Sequence, residues 1–338
     1  MNNRLYFKND GTFKVMQFTD IHYTNDDADD ARTTAMMGRL IARERPDLLI
    51  TTGDTVYGEQ NLKFLPKALA PFIESGIPWT FVFGNHDVEF NSSHEELFEE
   101  VRKLPGCLAF DGGTGLEGTG NHMIEVCSRE ERLRWLVCGL DSGDYNPMPQ
   151  VGDYAYLGKK QINWYQEMMR EYEKQNPGED FSALTFLHMA IPEYHELWDM
   201  EVCYGEKNEG IGCPRINSGF FTAMLEEGHT RGLFAGHDHA NDFWGISQPT
   251  PSSIALPLFL IIYGRKAIYF HPLCAAVVEL ERRAVHTVLY FFGSSTANII
   301  SAVSAISPST LATAFTKAIP IRSLVTSASS FNTSPGIT

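Results

Sequence analysis

Trp79-Thr80-Phe81-Val82-Phe83-Gly84-Asn85-His86-Asp87 runs from a short apolar stretch straight into a glycine and three side chains able to bind a cation or a proton. A near-continuous apolar run of this length suits a strand covered on both faces. The glycine lets the backbone turn tightly and approach a ligand closely. Asn, His and Asp then stand at the strand's carboxyl end, the edge where open α/β sheets bind their ligands.

Outward from this stretch the same pattern recurs. Phe13-Lys14-Val15-Met16-Gln17-Phe18 is followed by Asp20-Ile21-His22, and Asp47-Leu48-Leu49-Ile50-Thr51-Thr52 by Gly53-Asp54. Further along, Ala183-Leu184-Thr185-Phe186-Leu187 meets His188, and Arg231-Gly232-Leu233-Phe234-Ala235 meets Gly236-His237-Asp238-His239. Leu133–Cys138 reads as one more strand. Between the strands lie helix patterns. Residues 30–44 repeat Ala35, Met36, Leu40 and Ile41; residues 62–74 repeat Phe64, Leu65, Leu69 and Phe72; residues 160–173 repeat Ile162, Trp164, Tyr165, Met168 and Met169. Such stripes are core faces. Alternating strand and helix predict an α/β architecture on a mainly parallel sheet or sheets.

One Asp-x-His or Gly-Asp is an everyday surface pair or turn. Five such endings in order, each after an apolar run, are not a coincidence. They aim Asp, Asn and His side chains into one crevice. Two cations about 3.5–4 Å apart need a shared anion and a shell of imidazole and oxygen donors. A carboxylate such as Asp54 can bridge, and mixed N/O ligation suits Zn, Mn or Fe better than Mg or Ca.

Bulk properties narrow the partners. The 338 residues carry a net charge of −15, which opposes non-specific nucleic-acid binding. Cys107, Cys127, Cys138, Cys203, Cys213 and Cys274 are scattered without a C-x-x-C pair, so free thiols in a reducing compartment are expected. Met1–Lys8 lacks the long apolar core of a secretory signal, and the apolar run Ile254–Tyr263 is too short for a membrane helix, for which about 20 residues are needed. A cytoplasmic protein without membrane association is the expectation. From Gln248 onward the only acidic residues are Glu279 and Glu281, so 40 of the 42 acids precede it. The expected division is a catalytic-type domain over 1–292 and a poorly ordered Ser/Thr/Ala-rich tail over 293–338.

The series Asp20-x-His22, Gly53-Asp54, Gly84-Asn85-His86-Asp87, His188 and Gly236-His237-x-His239 resembles the calcineurin-like metallophosphoesterase superfamily across roughly 12–247. The wording of Phe18-Thr19-Asp20-Ile21-His22, Asn217-Ser218-Gly219-Phe220-Phe221 and Gly236–Asp242 is similar to its purple-acid-phosphatase-related branch. The resemblance implies a four-layer α/β/β/α sandwich, with two mixed β-sheets flanked by helices. It implies two divalent or trivalent metal ions, one on Asp20, His22, Asp54 and His239, the other on Asp54, Asn85, His188 and His237. His86 would face the substrate, oriented by Asp87, to stabilise the transition state or protonate the leaving oxygen. The segment between His188 and His237 offers His195, Arg215 and Asn217 as candidate substrate contacts. The purple enzymes proper carry a tyrosinate iron ligand and lack the first-motif histidine. Here Tyr57 follows Asp54 but His22 is present, so Tyr57 is expected outside the ligand set. Val277-Val278-Glu279-Leu280 and Tyr263-Gly264-Arg265 look like the family's final strands. The implied activity is hydrolysis of a small-molecule or peptide-borne phosphate monoester. Alternatives are a phosphodiesterase acting on a cyclic nucleotide or other diester, and a non-catalytic metal-binding scaffold on the same fold.

Overall fold

Phe13, Val15, Leu48 and Ile50 sit in one apolar cluster while Met16, Phe18 and Leu49 sit in another, as the period-2 alternation of strand side chains requires. Both faces of these strands are therefore buried. The computed structural model describes residues 4–112, 115–148 and 150–247, with the strand segments 258–259, 274–280, 285–292 and 297–298.

In chain order the first half holds β1 (Arg4–Tyr6), β2 (Phe13–Thr19), α1 (Ala28–Glu44), β3 (Leu48–Thr52), α2 (Asn61–Ala68), α3 (Ala70–Ser75), β4 (Trp79–Val82), α4 (His94–Val101), β5 (His122–Cys127) and β6 (Leu133–Gly139). There follow α5 (Lys159–Gln175), β7 (Ser182–Phe186), α6 (Glu193–Met200), β8 (Cys203–Lys207), α7 (Phe220–Glu227), β9 (Thr230–Phe234) and β10 (Asn241–Ile246). The last strands are β11 (Leu258–Phe259), β12 (Cys274–Leu280), β13 (Val285–Phe292) and β14 (Ala297–Asn298).

Two mixed sheets result. One has the order β1-β5-β6-β7-β9 and the other β14-β13-β12-β2-β3-β4, with a small β11-β10-β8 sheet beside them. Phe13, Ile50, Ile124, Val137, Leu184 and Phe234 fill the space between the two large sheets. On the far face of the six-stranded sheet, Met37, Leu40, Phe64, Phe72 and Phe98 bring α1 to α4 onto Phe18 and Phe81. On the far face of the five-stranded sheet, Ile162, Tyr165, Leu197, Phe220 and Met224 of α5, α6 and α7 pack on Leu136, Cys138 and Leu233. Three cores separate four layers, the α/β/β/α sandwich.

The helix expected over 62–74 is two helices meeting at Leu69. Pro71 has no N–H to continue the first ladder and occupies the opening turn of α3, where that loss is harmless. The expected terminal strand Val277–Leu280 lies within β12, antiparallel to β2 with Leu280 opposite Phe13. Tyr263-Gly264-Arg265 lies outside the described residues, as does the expected tail except Ala297 and Asn298, which pair with β13. Among the described residues Cys107, Cys127, Cys138, Cys203 and Cys213 are free thiols. No helix there is long and apolar enough to cross a membrane.

Candidate metal centre

The parallel strands β2, β3 and β4 of one sheet and β7 and β9 of the other all end at the same edge of the sandwich. Residues just past those ends form two groups of cation-binding side chains. Asp20, His22, Asp54 and His239 make one, and Asp54, His188 and His237 the other; within each group the ligand atoms lie within 4.8 Å of one another. Asp54 belongs to both. The Asn85 amide oxygen joins the second at 3.2 Å from His188 Nε2.

The backbone is bent to achieve this. Asp20, His22, Asp54 and His237 all have positive φ, at 54°, 47°, 50° and 79°, and they are four of the eight non-glycine residues that do among the described residues. Left-handed non-glycine residues cost roughly 1–3 kcal/mol each and concentrate at functional sites. Asp30, the third residue of α1, takes the amide N–H groups of Asn25 at 3.0 Å and Asp26 at 2.7 Å, pinning the loop after His22. At Gly84 any side chain is excluded, because a Cβ would stand 2.2 Å from Asp54 Oδ1.

Asp54 Oδ1 accepts the His86 amide N–H at 2.9 Å, and its Oδ2 faces His22 Nε2 at 3.1 Å and His188 Nε2 at 3.2 Å. Asp20 accepts the His237 amide N–H at 3.0 Å and the Thr19 hydroxyl at 2.7 Å, and faces His239 Nε2 at 3.3 Å. His188 Nδ1 lies 2.8 Å from the Thr52 carbonyl, so Nδ1 is the N–H donor and Nε2 is the atom left to ligate when the ring is neutral. Its Nε2 lone pair then converges with the Asn85 oxygen and with His237 Nδ1, 3.2 Å away. Carboxylate, amide oxygen and imidazole lone pairs facing one another are the environment a cation satisfies. The residues fit two metal ions.

Electrostatics agree. Burial raises Asp20 and Asp54, yet His239 and His188 beside Asp20, and His188 and His22 beside Asp54, outweigh it: Asp20 falls to about 2 and Asp54 well below the carboxylate range. Burial depresses His237 to about 3, and His22 likewise falls. His188 moves the other way. Burial lowers it, but the Asp54 and Asp20 charges prevail and lift it to about 10. A cation on the same carboxylates takes over that role and leaves His188 neutral, the form that ligates.

His86 lies at the open side, with Nε2 4.0 Å from Asp54 Oδ2. The expected orienting partner, Asp87, does not perform that service. Its buried carboxylate turns inward and accepts the amide N–H groups of Thr55 at 2.8 Å, Val56 at 3.0 Å and Gly84 at 2.9 Å. Burial, then the nearby Asp54 charge, raises it to about 6 against those bonds. It braces the two ligand loops against each other. Glu89 holds His86 instead, its carboxylate on Nδ1. Sequence reading passed over Glu89, although His86-x-x-Glu89 is a one-turn spacing. Tyr57 lies edge-on to His86, ring centroids 4.6 Å apart, and edge-on to His22 at 5.9 Å. Of the candidate substrate contacts, Arg215 is paired with Asp153 and Asn217 donates to Glu193 at 2.7 Å. His195 lies exposed on α6. His195 joins neither donor group.

A four-layer sandwich whose two sheets deliver overlapping cation-binding groups to one edge defines a dinuclear metallohydrolase scaffold. The chain belongs to the calcineurin-like metallophosphoesterase family: the calcineurin-like phosphoesterase model matches residues 13–241. It is 31% identical over 274 residues to probable inactive purple acid phosphatase 29 of Arabidopsis thaliana, covering 72% of this chain and 70% of the relative. It is 27% identical to the phosphatase DCR2 of Saccharomyces cerevisiae over 75% of this chain and 48% of the relative. Among solved structures, a dimetal phosphatase from Danio rerio superposes with a TM-score of 0.55 at 13% identity, over 82% of this chain and 95% of that one. GAP50, the anchor in the inner membrane complex of Plasmodium, superposes with a TM-score of 0.50 at 12% identity, over 87% and 88%. At such identities these two likenesses concern the fold.

Proposed function

We propose that the chain hydrolyses phosphate monoesters with water at a dinuclear metal centre built around Asp54. The convergence of two donor groups on that single carboxylate carries the reading. Asp20, His22 and His239 hold the first ion with Asp54; Asn85, His188 and His237 hold the second. Mn, Fe or Zn suits this mixture of imidazole and oxygen. Such ions, when bound, neutralise the phosphoryl oxygens and make water acidic enough to attack near neutral pH.

The chain's own part begins with His86. Its side chain is 26% exposed while that of Asp54 is closed off, so the imidazole stands between the donors and solvent. Glu89 on Nδ1 fixes the ring plane and leaves Nε2 facing the opening. A proton on Nε2 passes to the departing alcohol oxygen. Asp87, with its three backbone amides, keeps the Asp54 and Asn85 loops in register.

The non-catalytic scaffold is the second reading, favoured by the word inactive in the plant relatives' names and by an anchor protein on the same fold. One assay decides between them. Metal-loaded protein is tested on p-nitrophenyl phosphate and bis(p-nitrophenyl) phosphate. Monoester turnover should exceed diester turnover, and His86→Ala should keep its metal while losing about 10²-fold or more, the usual contribution of a positioned proton donor. Full turnover in His86→Ala removes that residue's role. Absence of any turnover with both ions bound leaves the scaffold.

A further inference from the structure

A continuous arc of contacts borders the open side of the donor groups. It starts with Phe90 against Tyr57, ring centroids 5.4 Å apart, and Tyr57 against His86 at 4.6 Å. Glu89 links His86 to Tyr145, whose hydroxyl lies 3.4 Å from the carboxylate. Tyr145 then stacks on Tyr154 at 6.2 Å with planes 25° apart, and Tyr154 meets His237 edge-on at 4.4 Å. An aromatic pair thus flanks each donor group, Tyr57 with Phe90 beside His22 and His86, and Tyr145 with Tyr154 beside His237.

Three of these rings are large apolar surfaces left in water: Tyr57 is 37% exposed, Phe90 44% and Tyr145 46%. Single exposed aromatics need no explanation, but a contiguous set at the mouth of a polar site marks a ligand surface. The rings are also held in place. Tyr57 is wedged between His22 and Phe90, and the Tyr145 hydroxyl is tied to Glu89. Held aromatic faces receive another ring in offset or edge-to-face contact without ordering flexible side chains. The charged groups on the arc are carboxylates, Glu89 and, beside Tyr154, Asp153, the latter already paired with Arg215. That setting favours an uncharged ring over a polyanionic tail.

The geometry points to a subsite for a planar aromatic group, the alcohol part of a small phosphate monoester whose phosphate lies over the donors. This rests on the phosphoesterase reading, so the experiment separates the two. Full-length metal-loaded protein is given benzyl phosphate and cyclohexylmethyl phosphate, which share a primary alcohol and similar bulk but differ in the π-face. In parallel, calorimetry measures binding of benzylphosphonate and cyclohexylmethylphosphonate, which report on the subsite without any turnover. Native protein should prefer the aromatic member about five- to tenfold in both kcat/KM and affinity. Phe90→Leu and Tyr57→Leu should bring both ratios towards one; Phe90 is exposed, so its variant folds. Equal treatment of the two phosphonates, no phosphonate binding, or ratios unchanged in both variants overturns the subsite. A retained binding ratio with no hydrolysis of either ester supports the subsite and overturns the phosphoesterase reading instead.

Discussion

Gly84→Ala adds one methyl group and should disable the centre. The new Cβ would stand 2.2 Å from Asp54 Oδ1, 2.4 Å from Asp54 N and 2.9 Å from Asp54 Cγ. Because a backbone nitrogen is among these neighbours, no side-chain rotation of Asp54 relieves the clash. Ordinary contact begins near 3.4 Å, so the carboxylate must retreat by roughly 1.2 Å from the nearest point. It would then leave the His86 amide, now at 2.9 Å, and its place facing His22 and His188. Misplacement by about 1 Å costs on the order of 10²-fold in rate, and overpacking costs about 1–3 kcal/mol of stability. The assays are metal content after dialysis against a weak chelator, turnover of p-nitrophenyl phosphate, and denaturant unfolding. Gly38→Ala is the matched control: it lies inside α1 with nothing within 4 Å of its built Cβ, and should gain about 0.5–1 kcal/mol with turnover intact. Native metal content and turnover in Gly84→Ala would refute the reasoning.

Glu89→Gln should keep both metals and lower kcat about 10- to 100-fold, the usual cost of removing a carboxylate behind a functional histidine; Glu89→Asp should recover part of it, and an unchanged kcat denies Glu89 the orienting role. A separate effect belongs to His122, buried between the sheets with Nδ1 2.7 Å from the Gly120 carbonyl and Nε2 2.6 Å from the Thr80 hydroxyl. Burial depresses it from 6.5 to about 4. The unfolded chain therefore takes up this proton first as pH falls, so the neutral ring's contribution is whole above pH 6.5 and is lost between there and about pH 4, at a cost of about 3 kcal/mol. Unfolding measured at pH 7 and 4.5 should show a smaller acid loss in His122→Gln than in the native chain; parallel losses would place the sensitivity elsewhere.

The strands that position the site were legible because each is a nearly unbroken apolar run, such as Leu48–Thr52, followed at once by ligand-type residues. Leu133–Gly139 was legible from its apolar run alone, whereas β5 and β10 offer no such run. In β5 a buried histidine and a glutamate interrupt the run, and in β10 Asn241 and Asp242 precede Phe243. Their strand character comes from pairing partners remote in sequence, Gly139 opposite His122 and Lys207 opposite Asn241. The His86 partner was misjudged for a local reason. His86–Val88 forms a single tight helical turn, in which neighbours point apart and residues three apart share a face. Asp87 is thereby sent into the protein and Glu89 brought over His86. The aromatic arc was illegible, since Tyr57, Phe90 and the Tyr145–Tyr154 pair come from three separate loops joined only by the fold.

The decisive measurement is the number of metal ions held per chain, by elemental analysis together with native mass spectrometry after loading with Mn²⁺ and removal of excess. Two ions per native chain and a collapse of that number in Asp54→Asn are predicted, since both donor groups depend on the one carboxylate. A native chain that binds one ion or none, or an Asp54→Asn chain that still binds two, would contradict the shared-carboxylate centre.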